Sequence, residues 1–554
     1  KRENGAPTAT IDSSQLNKAV IGNLSDALSS RVAGVVVQTA AGETGAGSRI
    51  RIRGSNSISL SNDPLLIIDG IRADNSSQST AQDTGGQLPS RFNDINPEEI
   101  ESIEVIKGPA AAALYGTAAS NGVIQITTKH GRAGQTRWDA FIEGGQLRDV
   151  NDYPLNLRSY GHTSSGALVT NCSLFRRTSG LSNNCVQVDS VASNDPLKAA
   201  GIESDGNRRQ LGASVAGGSD NASYYVSGEY QREQNVVSIN AQQQLNIRTN
   251  VRAQLARSLD LNVNVGYVNS DLRRPQNDNN SFGVISASLL GRAADCTPTG
   301  AKLHPGLCSG GADTVSHGYF NPGIDPNAFF QINTRQQVQR LIGGATSNWT
   351  PLSWLAVSGT LGADINHRND NETLPPNVLL VDQDRTDGYR SIERAIVGDY
   401  TANLNASGTY RYRDFRLVST LGSGYSDEAF TRTDAFGAKL LAGTSSLAGT
   451  TARFSVGEVN QDVKTLGFLG REEIGWADKR FLSIAARTDR NSAFGVNFRR
   501  VYYPSVSGSW VISDEGLFPH ISGVSSLRLR AAAGSAGQNP GFLAAEQFFN
   551  PVAV

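Results

Sequence analysis

Leu245-Asn246-Ile247-Arg248-Thr249-Asn250-Val251-Arg252-Ala253-Gln254-Leu255 alternates without a break between an apolar or small set at odd positions and a polar set at even ones. A period of two belongs to a β-strand, whose successive side chains leave opposite faces. Eleven residues is also the length a tilted strand needs to cross a bilayer. The pattern recurs at Leu261, Val263, Val265 and Tyr267 against Asn262, Asn264 and Gly266, and at Tyr400, Ala402, Leu404, Ala406, Gly408 and Tyr410 against Thr401, Asn403, Asn405, Ser407 and Thr409.

Extended along the chain, alternation marks about thirteen strands, starting near residues 136, 207, 223, 243, 260, 334, 355, 393, 415, 460, 480, 501 and 525. Links after even-numbered strands are mostly short, such as 218–222, 258–260 and 411–414, whereas Asp149 to Gly206 and Arg273 to Asn333 are long. Short turns at one end and long loops at the other predict an outer-membrane β-barrel, turns periplasmic and loops outside.

Composition agrees. Glycine contributes 58 of 554 residues, roughly a tenth against a usual figure of about 7%, as turns require. Apolar residues are only 38%, and no run approaches the ~18 apolar residues of a membrane helix, which excludes a helical membrane protein. Lys and Arg total 50 and Asp and Glu 51, a net charge of −1, so nucleic acid is not an expected partner. Methionine is absent throughout, including position 1, which points to a start set by processing or by where the determined chain begins.

The four cysteines form two local pairs, Cys172 with Cys185 and Cys296 with Cys308, in the two longest links. Without CxxC spacing or nearby histidine clusters, two loop-closing disulfides in an oxidising compartment are expected rather than metal ligands; four unrelated thiols are the alternative.

Residues 1–133 differ from the strand ladder. A short helix is expected at Ser25 to Ser30. Arg49-Ile50-Arg51-Ile52-Arg53 is a strand with one arginine face, and Pro64 to Ile68 a buried strand ending in the Asp69-Gly70 turn. Gly42, Gly45 and Gly47 do not make a phosphate loop, because a strand and not a helix follows. Asn96 should cap a helix opened by Pro97, with Glu98, Glu99, Glu101 and Glu104 forming a solvated acidic face rather than a catalytic set. Strands at Ile103 to Lys107 and Val123 to Thr128 flank a small-residue helix at Ala110 to Tyr115. Together these describe a small α/β domain.

Five stretches make this module resemble the plug of SusC/RagA-type TonB-dependent outer-membrane transporters: Gly34 to Gln38, Ile50 to Gly54, Pro64 to Gly70, Asn96 to Gly108 and Leu114 to Gly116. Later segments are similar to mid-barrel parts of the same family: Arg487 to Gly495, Tyr503 to Trp510, Ser513 to Glu515 and Leu527 to Pro540. The resemblance implies a plug domain over 1–133 followed by a partial transmembrane β-barrel over 134–554. The family's barrel has about 22 strands, so about nine (22 − 13) lie outside the thirteen counted here. It further implies active import of a bulky nutrient, an oligosaccharide or peptide, across the bacterial outer membrane. Cargo is held between the barrel and a SusD-like lipoprotein until TonB pulls the region ahead of the plug. Lys1-Arg2-Glu3 looks like the segment just past the TonB box, which puts the box itself outside this chain.

No catalytic residue, cofactor or metal is expected, since the six histidines and the scattered serines form no nucleophile or ligand constellation. The polar clusters Asn277 to Asn280 and Asn369 to Glu372 read as solvated loops, because they lack the glycine and distal glutamate of a calcium loop. Trp349, Trp354, Tyr410, Phe415, Trp476 and Phe481 flank short turns, where outer-membrane lipid headgroups would make them a girdle; core aromatics of a soluble β-sandwich are the plainer alternative. Arg49, Arg51 and Arg53 should pair with acids on the barrel wall, with contact to an anionic substrate as the alternative. A surface-assembly barrel of the same type without TonB coupling, or half of a split barrel, remains a second functional reading.

Overall fold

In a computed structural model, the structure describes residues 8–542 except 17–21, 30, 40–41, 78–87, 109–113, 171, 173–176, 178–184, 196, 198–200, 277–282, 292–329, 379–385, 495–499, 517, 519–523, 525 and 539.

The first seven strands are short: β1 (Thr8–Asp12), β2 (Val35–Thr39), β3 (Ser48–Ile52), β4 (Leu65–Ile68), β5 (Ile71–Ala73), β6 (Ile100–Ile106) and β7 (Val123–Thr128). Five of them form a mixed sheet in the order β1-β6-β7-β4-β5, in which only β4 and β7 run parallel, and β2 and β3 make a separate hairpin. The β-branched runs of β4, β6 and β7 build an apolar centre with Leu24, Leu28 and Phe92, and Ile342 from the surrounding wall packs into it. The expected first helix is a single turn at Leu24–Leu28, where the Asn23 side chain accepts from the Asp26 amide.

The second expected helix does not form. Asn96 caps as anticipated, accepting from the Glu98 amide, but Pro97–Glu99 makes only one 3₁₀ turn before β6 begins at Ile100. The alternating Ile100, Ile103 and Val105 favour a strand and override the capping signal. The expected helix at Ala110 to Tyr115 falls largely outside the described residues.

From Gly134 on, thirteen strands form one antiparallel sheet with neighbours in chain order. They are β8 (Gly134–Leu147), β12 (Gly206–Gly218), β13 (Ala222–Gln234), β14 (Ala241–Ala256), β15 (Leu259–Arg274), β16 (Asn333–Leu352), β17 (Leu355–Leu374), β18 (Tyr389–Tyr412), β19 (Phe415–Leu440), β20 (Thr450–Trp476), β21 (Arg480–Asn491), β22 (Val501–Val511) and β23 (Arg528–Gly534). The intervening β9 (Asn156–His162), β10 (Leu168–Thr170) and β11 (Gln187–Asn194) form a small sheet inside the first long link. β8 and β23 are the two edges of the thirteen-stranded sheet and do not pair with each other.

The sheet is inside out relative to a soluble protein. Gln244, Asn246, Arg248 and Asn250 of β14 are buried facing the first domain, whereas Ile247 and Val251 are exposed on the other face. Leu211, Leu341, Leu361, Leu404, Leu421 and Phe468 continue that exposed apolar belt around the wall. At the long-link end, Leu197, Ile202, Val237, Ile239 and Ile332 from several links join Leu374 at the end of β17 in a second apolar cluster.

Glycines let the two domains approach. Ile71 of β5 is 1% exposed and sits against Gly344 and Gly362 of the wall, where a Cβ on Gly362 would stand 2.5 Å from Ile71 Cγ1. Gly362→Ala should therefore cost about 1–3 kcal/mol by overpacking. Thermal unfolding will check it, and with Ile71→Ala, itself costly by about 2–5 kcal/mol, the double variant should lose less than the sum of the two because the clash is gone.

Candidate functional site

The working surface of the molecule is the interface between the first domain and the wall, and it is built of charge and hydrogen bonds. Arg340 of β16, 2% exposed, forms a two-point pair with Asp364 of β17: Nε to Oδ1 at 2.9 Å and Nη2 to Oδ2 at 2.6 Å. The same guanidinium donates to the carbonyls of Arg91 and Asp74, each at 2.7 Å, and lies 3.3 Å from Asp94 Oδ2. Asp364 in turn accepts from the Asp74 amide at 2.7 Å, and Arg91 donates to Gln336 at 2.8 Å. Burial pushes the Asp94 carboxyl above the usual carboxylate range, and the Arg91 and Arg340 charges oppose that rise.

A second contact lies on β13 and β14. Arg248 Nε meets Glu99 Oε2 at 2.7 Å and its Nη1 lies 3.8 Å from Asp69, with all three side chains buried. Asn96 donates to Glu229 at 2.6 Å, and Asn250 donates to Thr128 Oγ1 and the Lys129 carbonyl at 2.7 Å each. The expected solvated acidic face is thus corrected for Glu99, which is 4% exposed and pairs with the wall; Glu98, Glu101 and Glu104 are partly exposed. A third contact joins β21 to the segment before β7: Arg487 donates to the Leu114 carbonyl at 2.9 Å, and Asp489 accepts from the Thr117 amide at 3.1 Å.

Clefts also separate the two domains, one of about 360 Å³ opposite β12–β16 and others opposite β18–β21. Two clefts of about 260 and 480 Å³ lie between the first domain and these strands, and both are lined by Leu65, Arg72, Thr117 and Ala118. Arg72 spans the gap to Glu428 at 2.6 Å, with Asp399 at 3.8 Å.

The arginine face lies elsewhere than expected. Arg51 Nη1 is 2.5 Å from Asp63 and Arg49 is 3.5 Å from the same carboxylate, so the acid belongs to the first domain itself and not to the wall. Arg53 takes a left-handed backbone (φ 61°) beyond the strand, and burial together with the Arg53 charge lowers the Lys107 amine. Cys172 and Cys185 form a disulfide against the β9–β11 sheet; Cys296 and Cys308 lie outside the described residues. Trp349, Trp354, Tyr410, Phe415 and Trp476 are exposed and Phe481 half-buried, all near short turns, with Phe415 stacked on Trp476 at 6.0 Å. Asn369 to Glu372 is a stretch of β17 and not a loop: Asp370 accepts from Gln336 at 2.7 Å and Glu372 from Tyr389 at 2.7 Å. Asn277 to Asn280 is outside the described residues. Among the described residues no cluster suited to a metal ion occurs.

A polar-lined sheet wrapped around a small α/β domain that it grips by buried ion pairs defines a plugged barrel wall. Residues 1–123 match the TonB-dependent Receptor Plug Domain family. The TonB-dependent receptor P26 of Formosa agariphila is 25% identical over 548 residues, covering 96% of this chain and 51% of P26. TonB-dependent receptor SusC of Bacteroides thetaiotaomicron is 43% identical over 125 residues, 23% of this chain and 12% of SusC. A structure of the RagAB peptide transporter superposes with a TM-score of 0.74 at 20% identity, covering 96% of this chain and 60% of that one. The chain spans about half the length of P26. The chain is thus similar to TonB-dependent receptors of the SusC and RagA kind, with a plug domain followed by thirteen strands of barrel wall.

Proposed function

We propose that the chain supplies the plug and part of the barrel of a transporter that imports a bulky nutrient, an oligosaccharide or peptide, across the bacterial outer membrane. Residues 1–133 act as the plug on the periplasmic side, and residues 134–554 form part of the membrane wall, with the long links outside. A SusD-like surface lipoprotein covers those loops, and TonB pulls on a box ahead of Lys1. Trp349, Trp354, Tyr410, Phe415, Trp476 and Phe481 form the periplasmic girdle, and the cysteine pairs staple outer loops. Arg49 and Arg51 hold the plug's own Asp63 segment in place, and no residue acts catalytically.

The observation that carries this reading is the polarity of the plug–wall interface. An apolar interface would resist separation in water, whereas hydrogen bonds exchanged for water each contribute a net of only about 0.5–1.5 kcal/mol. Buried pairs such as Arg340 with Asp364 hold the resting plug firmly, yet every group in them is readily hydrated once the plug moves. The clefts between plug and wall are where a path could start with little displacement.

The test uses the full-length protein in its native host. Deletion should abolish uptake of at least one labelled oligosaccharide or peptide pool, and the wild-type gene should restore it. A protonophore or loss of TonB should abolish uptake again. Undiminished uptake under both treatments would overturn energised import, and unchanged uptake of every pool after deletion would overturn import itself.

A further inference from the structure

We propose that Arg209 and Arg232 form a clamp for the phosphate of an anionic lipid headgroup in the outer leaflet. The two residues are direct cross-strand partners on β12 and β13, and both are exposed on the outward face. Like charges directly opposite one another destabilise a sheet unless a counter-charge lies between them. Neither guanidinium forms an ion pair among the described residues.

The acids of these strands face the other way. Glu229 is 5% exposed and bound to Asn96 of the plug, Glu233 accepts from Thr44 of the plug at 2.6 Å, and Glu143 pairs in register with the buried Gln210. Beside the arginines in register are Gly144 of β8, with open space where a Cβ would stand, and the neutral Gln243 of β14. The next outward acid of this row, Asp271 beyond Gln243, is already bound by Arg335, so the arginine pair is uncrowded and has no counter-ion of its own.

One outward step toward the short turns, the register row changes to Ile142, Leu211 and Tyr230. Ile142 is 88% and Leu211 55% exposed, as expected of groups that meet acyl chains rather than water. An amphipathic ligand with a phosphate above and hydrocarbon below fits this arrangement: two forked donors for the phosphate oxygens and an apolar strip for its chains. The clamp lies toward the long-link end of β12 and β13, so its assignment to the outer leaflet rests on the membrane orientation proposed above. Further round the wall, the outward positions become mixed, with Lys464 paired to Asp462 and near Asp427, so the argument is confined to this pair.

The experiment uses the full-length protein purified in neutral detergent, titrated with nanodiscs of lipid A in zwitterionic lipid or of zwitterionic lipid alone. Wild type should bind the lipid A discs more tightly, with the preference shrinking at high salt. Removing both charges in Arg209→Gln/Arg232→Gln should weaken that binding by about thirtyfold, at about fivefold per cation near a charged surface. Heat-modifiable gel mobility reports whether the barrel is folded. Should the double variant fail to fold, wild type alone still decides through its preference between the two discs, and Arg209→Lys/Arg232→Lys should keep much of it. Equal binding to both discs, or a folded Gln variant that binds as wild type does, would overturn the clamp. Inorganic phosphate that displaces the discs at millimolar concentration would overturn it too, by showing a phosphate site independent of lipid. Nutrient uptake is scored separately: loss of the transport reading leaves lipid retention intact, and loss of the clamp leaves energised uptake intact.

Discussion

Replacing Arg340 with alanine should destabilise the seating of the plug by about 3–5 kcal/mol, the range for removing one partner of a buried ion pair. The size follows from what is stranded. Asp364 is 1% exposed and would lose both guanidinium bonds, Asp94 would lose its wall charge and keep only Arg91 of the plug, and the carbonyls of Arg91 and Asp74 would lose their donor. Water entering the vacated space can return some hydrogen bonds to those acceptors but not the positive charge that Asp364 and Asp94 face. Differential scanning calorimetry of the purified full-length protein should show the plug transition moving to lower temperature while the wall still resists heating. Arg340→Lys should recover only part of the loss, because a single ammonium cannot span both Asp364 oxygens and two carbonyls. An unchanged melting profile for Arg340→Ala would show that the plug is held elsewhere.

The wall was legible in sequence because its alternation carries an unusual meaning. In Leu245 to Leu255 the apolar side is the exposed one and the polar side is buried against the plug, and periodicity is blind to which side faces in. Thirteen strands could therefore be counted, and the turns placed, without knowing about the plug. Strand ends were less legible. β18 begins at Tyr389 rather than near 393 and β20 at Thr450 rather than near 460. Both extensions lie at the long-link ends of their strands, and in β20 the alternating Ala452, Phe454 and Val456 continue the pattern past the point where the count began.

The site was the least legible part. Arg91 reaches Gln336 across 245 residues and Thr117 reaches Asp489 across 372. Local patterning holds no trace of such distances. Arg49 and Arg51 stood out because they alternate cleanly, but alternation locates a face and not the acid beside it. Asp63 lies only twelve residues past Arg51, and the chain doubles back to bring it there.

Glu99 shows the same limit with a larger consequence. Its place three residues past the cap favours an acidic helix end, yet the turn stops after Glu99 and strand β6 begins, which directs the side chain into the wall. There it accepts from Arg248 at 2.7 Å and from Ser227 at 3.4 Å. Glu99→Ala should therefore cost about 3–5 kcal/mol, because Arg248 stays buried with only the more distant Asp69 at 3.8 Å as counter-charge. Glu98→Ala, half-buried and facing the wall only through like-charge repulsion with Glu229, should change stability by no more than about 0.5 kcal/mol. Chemical unfolding of the two single variants, of Arg248→Met and of Glu99→Ala/Arg248→Met measures the coupling directly. The double variant should be more stable than the sum of its parts by about 1–3 kcal/mol, since two groups in contact do not add. Strict additivity would mean that water reaches Arg248 when Glu99 is removed. The interface beside β14 would then be wet at rest, and the plug would be held chiefly by Arg340 and its partners and by the contacts of β21.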